Sequence, residues 1–161
     1  MIRRATLRDA IDAPVDGLQA GLRTEYYAAS VERASQIDAL RAERVGVTTS
    51  VELPAAPLPE QYALRLSGLM RVPADGVYEF ALVSDDGSTM HVGDELVVDN
   101  DGLHGAEERR GMVALRAGLH RVTVRFFQGG GGAALSLRVR VGDGEWMPIP
   151  SSWWHFKAGE R

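Results

Sequence analysis

The sequence predicts an all-β domain, an antiparallel two-sheet β-sandwich with one short helix. Three observations carry that expectation. From Tyr62 onward, apolar and polar residues alternate in run after run. Gly, Pro, Asp and Asn clusters separate those runs at the spacing of hairpin turns. Helical periodicity is confined to one stretch, Val31 to Arg44.

The chain of 161 residues suits one domain with a real core. Its 45% hydrophobic and 25% charged residues are ordinary for a globular protein. A net charge of −4 and a pI near 5.6 give no basic signature for nucleic acid. There is no cysteine, which removes disulfides, thiolate metal sites and cysteine nucleophiles. No apolar run reaches the roughly 18 residues of a membrane span, so no membrane insertion is expected. The opening MIRRATLRDAIDAPVDG is charged and lacks an apolar core, so it does not read as an intact signal peptide.

In chain order, residues 1–16 alternate weakly at Ala5 and Leu7 and break at Pro14, which reads as a linker or the end of a preceding domain. Residues 17–161 read as the sandwich. LRTEYYAA after Gly21 is a first strand, rich in tyrosine. Val31, Ala34, Ile37 and Leu40 share one helical face, with Ser35 as a cap and Gly46 as the stop. Val47 to Leu53 is a possible strand, and Pro54, Pro57 and Pro59 break any regular structure beyond it. Leu64, Leu66, Met70 and Val72 lie in one phase, opposed by Arg65, Ser67 and Arg71. Pro73-Ala74-Asp75-Gly76 is a turn, and Tyr78, Phe80 and Leu82 face one side of the next strand. Later come Val122, Val124 and Phe126, then Leu135, Leu137, Val139 and Val141 against Ser136, Arg138 and Arg140. Strands with one wet face each argue for two sheets packed face to face. The Trp-rich tail, Trp146 to Phe156, packs along an edge.

Between these runs, Val83 to Gly105 reads VSDDGSTMHVGDELVVDNDGLHG. Thr89–Val92 and Glu95–Val98 alternate and are joined by Gly93-Asp94, a hairpin signal because such turns need angles that glycine tolerates. The hairpin brings Asp85-Asp86 and Asp99-Asn100-Asp101 to the same end. Two readings stand on these residues alone. Clustered carboxylate and amide oxygens suit a hard cation such as Ca2+. The same residue types also make ordinary solvated turns.

Taken together, Pro-x-x-Gly-x-Tyr-x-Phe, Ser-Asp-Asp-Gly, Asp-Asn-x-Gly, Ala-Gly-x-His and Phe-Phe-x-Gly-Gly form a long ordered pattern. From about Gly17 to Val141 the chain resembles the PA-fourteen domain, the protective-antigen-type β-sandwich module of adhesins and glycosidases. The resemblance implies a sandwich that holds calcium and binds sugar through it. In such members two adjacent aspartates, joined by a cis peptide, both reach the metal. Carried over, Asp85 and Asp86 are the carboxylate ligands. A second loop, Gln128 to Gly132, would add the Gln128 amide oxygen and backbone carbonyls, that of Gly130 among them. Gln128 stands where adhesins tend to place Asn. Sugar hydroxyls would complete a shell of roughly six to eight oxygens. Asp85, Asp86, Asp99, Asn100, His104 and Gln128 are the expected sugar-contacting residues. A backbone-bonding role for His104 is the other reading, and His91 and His120 read as structural. Trp153 and Trp154 suit either a sugar ring or the core.

No catalytic constellation is read. Asp85 and Asp86 are adjacent, where glycosidase carboxylates stand about 5 to 10 Å apart across the substrate. No Ser-His-Asp order, phosphate loop or His-rich motif occurs. The expectation is therefore a non-catalytic, calcium-dependent carbohydrate-binding module whose partners are a glycan and the other domains of a larger exported glycosidase or adhesin, working outside the cell or at its surface. The competing reading is a structural or protein-interaction sandwich with no sugar affinity.

Overall fold

Side chains alternate between faces with period two, so a strand with one apolar phase buries that phase and wets the other. Two long strands show this best. In β4 (Tyr62–Val72) Leu64, Leu66, Met70 and Val72 are buried, while Arg65 and Ser67 stay half-exposed. In β9 (Gly118–Gln128) Val122, Val124 and Phe126 are buried, and Gln128 ends the same phase. The two pair antiparallel from Tyr62↔Gln128 to Val72↔Gly118 and form the spine of one sheet.

The computed structural model describes residues 6–12, 16–55, 58 and 60–158. Among these residues the strands form two antiparallel sheets. The larger has β1 (Leu18–Ala20), β12 (Trp154–Lys157), β4, β9, β6 (Ser88–Val92) and β7 (Glu95–Asn100) in that order, with β2 (Leu22–Tyr27) pairing β4 and β3 (Arg44–Thr48) pairing β2. The smaller runs β11 (Met147–Pro148), β10 (Ala134–Val141), β5 (Gly76–Asp85) and β8 (Glu107–Leu115). Tyr78, Phe80 and Leu82 of β5 and Leu135, Leu137 and Val139 of β10 meet the buried phases of β4 and β9 in one core. This is the two-sheet sandwich the alternation predicts.

Several local expectations change. The helix is a 3-10 turn over Ala34–Ala39, with a second 3-10 turn at Ser151–Trp153. Its buried face is the expected one: Val31 and Ile37 pack with Tyr27, Ala63 and Phe127 on the outer side of the larger sheet, and Ala34 is buried too. Its capping differs: the Gln36 side chain, not Ser35, accepts from the Glu32 and Arg33 amides. Gly46 stops no helix, because it lies within β3. The strand expected over Val47–Leu53 ends at Thr48, and beyond it only Glu52 bridges to Ser136. Pro14, Pro57 and Pro59 lie outside the described residues. In the segment preceding β1, Arg8 bridges to Leu115 and Ile11 to Leu119. The tail does pack along edges, as β11 on β10 and as β12 between β1 and β4. Trp153 and Trp154 belong to the core, at 9% and 1% exposure.

Candidate metal and sugar site

The chain crosses between sheets three times near one end of the sandwich. Asp86-Gly87 carries β5 of the smaller sheet into β6 of the larger. Residues 101–106 carry β7 back to β8. Residues 129–133 carry β9 to β10. The hairpin of β6 and β7 turns at Gly93, whose φ of +59° is what that turn needs, and it sets Ser88 opposite Asn100. Antiparallel pairing of β10 on β5 sets Ala134 opposite Asp85. Register thus converges the three crossings on Asp85 and Asp86.

The Asp85–Asp86 peptide bond is cis, as the resemblance implies. Asp86, 8% exposed, accepts the His104 N–H on Oδ1 at 3.0 Å and the Gly129 N–H on Oδ2 at 2.7 Å. One carboxylate therefore ties the other two crossings to the first. Gly87 fills the space beneath. A Cβ there would stand 2.5 Å from the Phe127 ring and 2.6 Å from Gly102 O, and Phe127 N–H donates to Gly87 O at 3.0 Å. Asp85 is half-buried, and its side chain makes no hydrogen bond or ion pair among the described residues. Burial and the neighbouring Asp86 charge raise its pKa above the ordinary carboxylate value, and His104 pulls the other way.

The Gln128 to Gly132 loop folds over its own first residue. Gln128, 3% exposed, donates through Nε2 to Gly131 O at 2.9 Å and Gly132 O at 2.8 Å, leaving Oε1 buried without a partner. Two carbonyl acceptors fix which end of the amide carries the nitrogen. The loop lies against both aspartates: a Cβ on Gly129 would stand 3.3 Å from Asp86 Oδ2, and one on Gly132 would stand 3.5 Å from Asp85 Oδ2. At Gly130 and Gly131 φ is +134° and +77°, angles that glycine adopts cheaply. Among the described residues no three His, Asp or Glu side chains gather as a ready metal cluster. Two carboxylates, an orphaned amide oxygen and flexible carbonyls are nevertheless the oxygen donors that calcium prefers.

The structure does not bring every expected residue to this corner. The hairpin strand runs on to Asn100 rather than stopping at Val98, so Asp99 and Asn100 point to opposite faces. Asn100, 2% exposed, turns between the sheets, where Nδ2 donates to Leu82 O, Ser84 Oγ and Glu107 O at 3.1, 3.2 and 2.8 Å and Oδ1 has no partner. Asp99 faces a separate cavity on the outer side of the larger sheet, beside Thr89 and His91. The His104 ring is held by Gly105 O on Nδ1 and Asn100 O on Nε2, at 2.7 and 2.8 Å. Burial disfavours the charged ring, but the two carbonyls, Glu107 and Asp86 outweigh it and raise its pKa. Leu103, which no sequence signal distinguished, stands 59% exposed beside Gly129.

Comparison with known proteins decides the family. The family model described as the PA14 domain matches residues 18–151. The chain belongs to the PA14 domain family. Among solved structures, the PA14 domain of MpAFP antifreeze protein superposes with a TM-score of 0.76 at 16% identity, covering 93% of this chain and 97% of that one. The PA14 sugar-binding domain from an RTX adhesin gives a TM-score of 0.73 at 21% identity, covering 87% and 99%. The epithelial adhesin 9 A domain from Candida glabrata, solved with Galb1-3GlcNAc, gives 0.75 at 10% identity, covering 98% and 99%. These superpositions show a shared fold. No curated protein matches the chain. Among the described residues, no helix is long and apolar enough to cross a membrane.

Proposed function

We propose that this PA14 domain is a non-catalytic carbohydrate-binding module whose affinity for sugar depends on calcium. The observation that carries the reading is the corner itself: adjacent Asp85 and Asp86 beside the unpartnered, buried Gln128 Oε1. Asp85, Asp86, Gln128 Oε1 and the Gly130 carbonyl would hold the ion. Together they supply fewer than the roughly six to eight oxygens calcium takes, which leaves positions for a vicinal diol. The bound ion would supply charge that draws sugar hydroxyls, while Asp86 holds the surrounding crossings in place. Solved PA14 relatives with sugar-binding names and glycan complexes support the ligand class. As part of a larger exported glycosidase or adhesin, the module would work outside the cell or at its surface.

One observation favours the competing reading of a structural or protein-interaction domain. Both Asp86 oxygens and the Gln128 amide nitrogen already have protein partners, so much of the corner is satisfied without an ion. Thermal unfolding with calcium and with a chelator separates the two. Calcium at about 100 times its Kd should stabilise the fold by about 2.7 kcal/mol, and a glycan array should give signals that the chelator removes. Identical unfolding in both buffers with a blank array would establish the structural reading.

A further inference from the structure

The outer face of the larger sheet holds a cleft of about 270 Å3 that none of the corner residues lines. Five cations border it, Arg23, Arg65, Arg121, Arg125 and Lys157, in a chain whose net charge is −4. They come from β2, β4, β9 and β12, which the sheet order brings side by side. One end is neutralised. Arg65 and Arg125 stand directly opposite each other across β4 and β9, a placement that costs energy unless countered. Glu25 accepts from Arg65 at 3.0 Å, and Asp38 accepts from Arg125 at 2.8 Å and from Arg65 at 3.3 Å.

The other end is not. Arg23 is only weakly countered: its Nε lies 4.0 Å from Glu25, an ion pair too long for a hydrogen bond, and is buried with no hydrogen-bond partner. Lys157 is exposed and makes no ion pair among the described residues. Arg121 has interactions of its own. Arg23 pairs with Ser67 across β2 and β4, and Ser67 with Thr123 across β4 and β9. A guanidinium and two hydroxyls thus lie in one row spanning roughly 10 Å at the usual strand spacing. Lys157 and the half-buried Phe156 of β12 complete the lining beside that row.

We infer that this row is a second binding site, for a single oxyanion carried on a saccharide: a sulfate ester or a uronate carboxylate. Arg23 and Lys157 supply positive charge, and Ser67 and Thr123 supply hydroxyls along the row, the donors that such a group pairs with. Phe156 offers an apolar wall of the kind that orients a small ligand. One aromatic ring in a cleft of this size does not make the stacking platform that single-stranded nucleic acid uses.

The test is calorimetric titration of the full chain in chelator, so that the calcium site takes no part. The probes are a sulfated galactan tetrasaccharide that carries no uronate, a digalacturonate and a single-stranded DNA oligomer, each at low and at physiological salt. The expected result is that the sulfated or the uronate probe binds, whichever does so naming the group, and that salt weakens the binding. Arg23→Gln with Lys157→Gln should lower affinity roughly tenfold, as expected for losing charge-assisted hydrogen bonds. Lys157→Gln alone, at an exposed position that folding does not need, should lower it several-fold. The inference is overturned if neither acidic saccharide binds at low salt, if Lys157→Gln binds as tightly as the unmodified chain, or if DNA binds equally well. It is also overturned if binding requires calcium, whereas failure of the calcium-dependent reading leaves these results untouched.

Discussion

Asp86 and Gly129 stand 43 residues apart in sequence and are joined by a 2.7 Å hydrogen bond, the glycine N–H donating to the carboxylate. The same carboxylate takes the His104 N–H on its other oxygen. Asp86 is thus a clasp for the fold as well as a candidate ligand, whereas Asp85 has no such duty.

The two aspartates should therefore separate on substitution. Asp86→Ala removes two hydrogen bonds to a buried charge and should cost about 2 to 4 kcal/mol even in chelator. Asp85→Asn removes no protein partner and should stay within about 0.5 kcal/mol in chelator, while abolishing stabilisation by added calcium. Urea unfolding of both variants, with and without calcium, checks this. Equal losses in chelator would contradict it.

The cluster of Glu25, Tyr27 and Arg65 contributes to both arms of the pH dependence. Burial pushes the Glu25 pKa up, but the Tyr27 hydroxyl and the guanidiniums of Arg65 and Arg23 outweigh it, so the pKa lies below 4.5. The folded state then prefers the ionised form. That stability is present above about 4.5 and is lost as pH falls through the lowered folded value. Tyr27 shows the opposite sign: burial and the hydrogen bond to Glu25 raise its pKa to about 12. Its contribution is present below about 10 and lost as pH climbs through about 12. Glu25→Gln should flatten the acid arm and Tyr27→Phe the alkaline arm of a stability–pH profile. An unchanged acid arm in Glu25→Gln would show that other groups set it.

Gly87 should tolerate no side chain. A Cβ there would meet a packed ring and a backbone oxygen, and neither yields like the far end of a flexible side chain. Gly87→Ala should destabilise by about 1 to 3 kcal/mol. Because the crowding pushes the 101–106 crossing away from Asp86, calcium affinity should fall as well. Melting curves and calcium titration report the two effects separately. Gly102→Ala, with open space around its Cβ, serves as a contrast in which only the φ of +102° is strained.

Most of the sandwich was legible because its signals are local. The alternation in Tyr62–Val72 and the Gly93-Asp94 turn each contain what decides them within a few residues. The polar run through Asp99 and Asn100 looked like a loop, since neither residue favours strands. Cross-strand pairing with Ser88 and Thr89 overrides that preference and sends the two side chains apart. The turn at Ala34–Ala39 had the right apolar face, but its hydrogen bonds depend on Gln36 folding back onto its own backbone. β12 was unreadable as a strand because its pairing depends on β1 and β4, far away in the chain. The basic cleft left no trace for a related reason. Arg23, Arg65, Ser67 and Thr123 each look like ordinary wet-face residues until the order β2–β4–β9 sets them shoulder to shoulder.

Pairing of β1 with β12 sets Leu18 directly opposite Lys157. The last strand is thus flanked by the edge strand β1, and ahead of β1 the chain is held by Arg8 and Ile11 against Leu115 and Leu119. The three crossings gather instead where β4 and β9 pair Tyr62 with Gln128. A neighbouring polypeptide tethered at both flanks would hold this module as a bracket holds a lamp, with the Asp85–Asp86 corner facing outward and clear of the mounting.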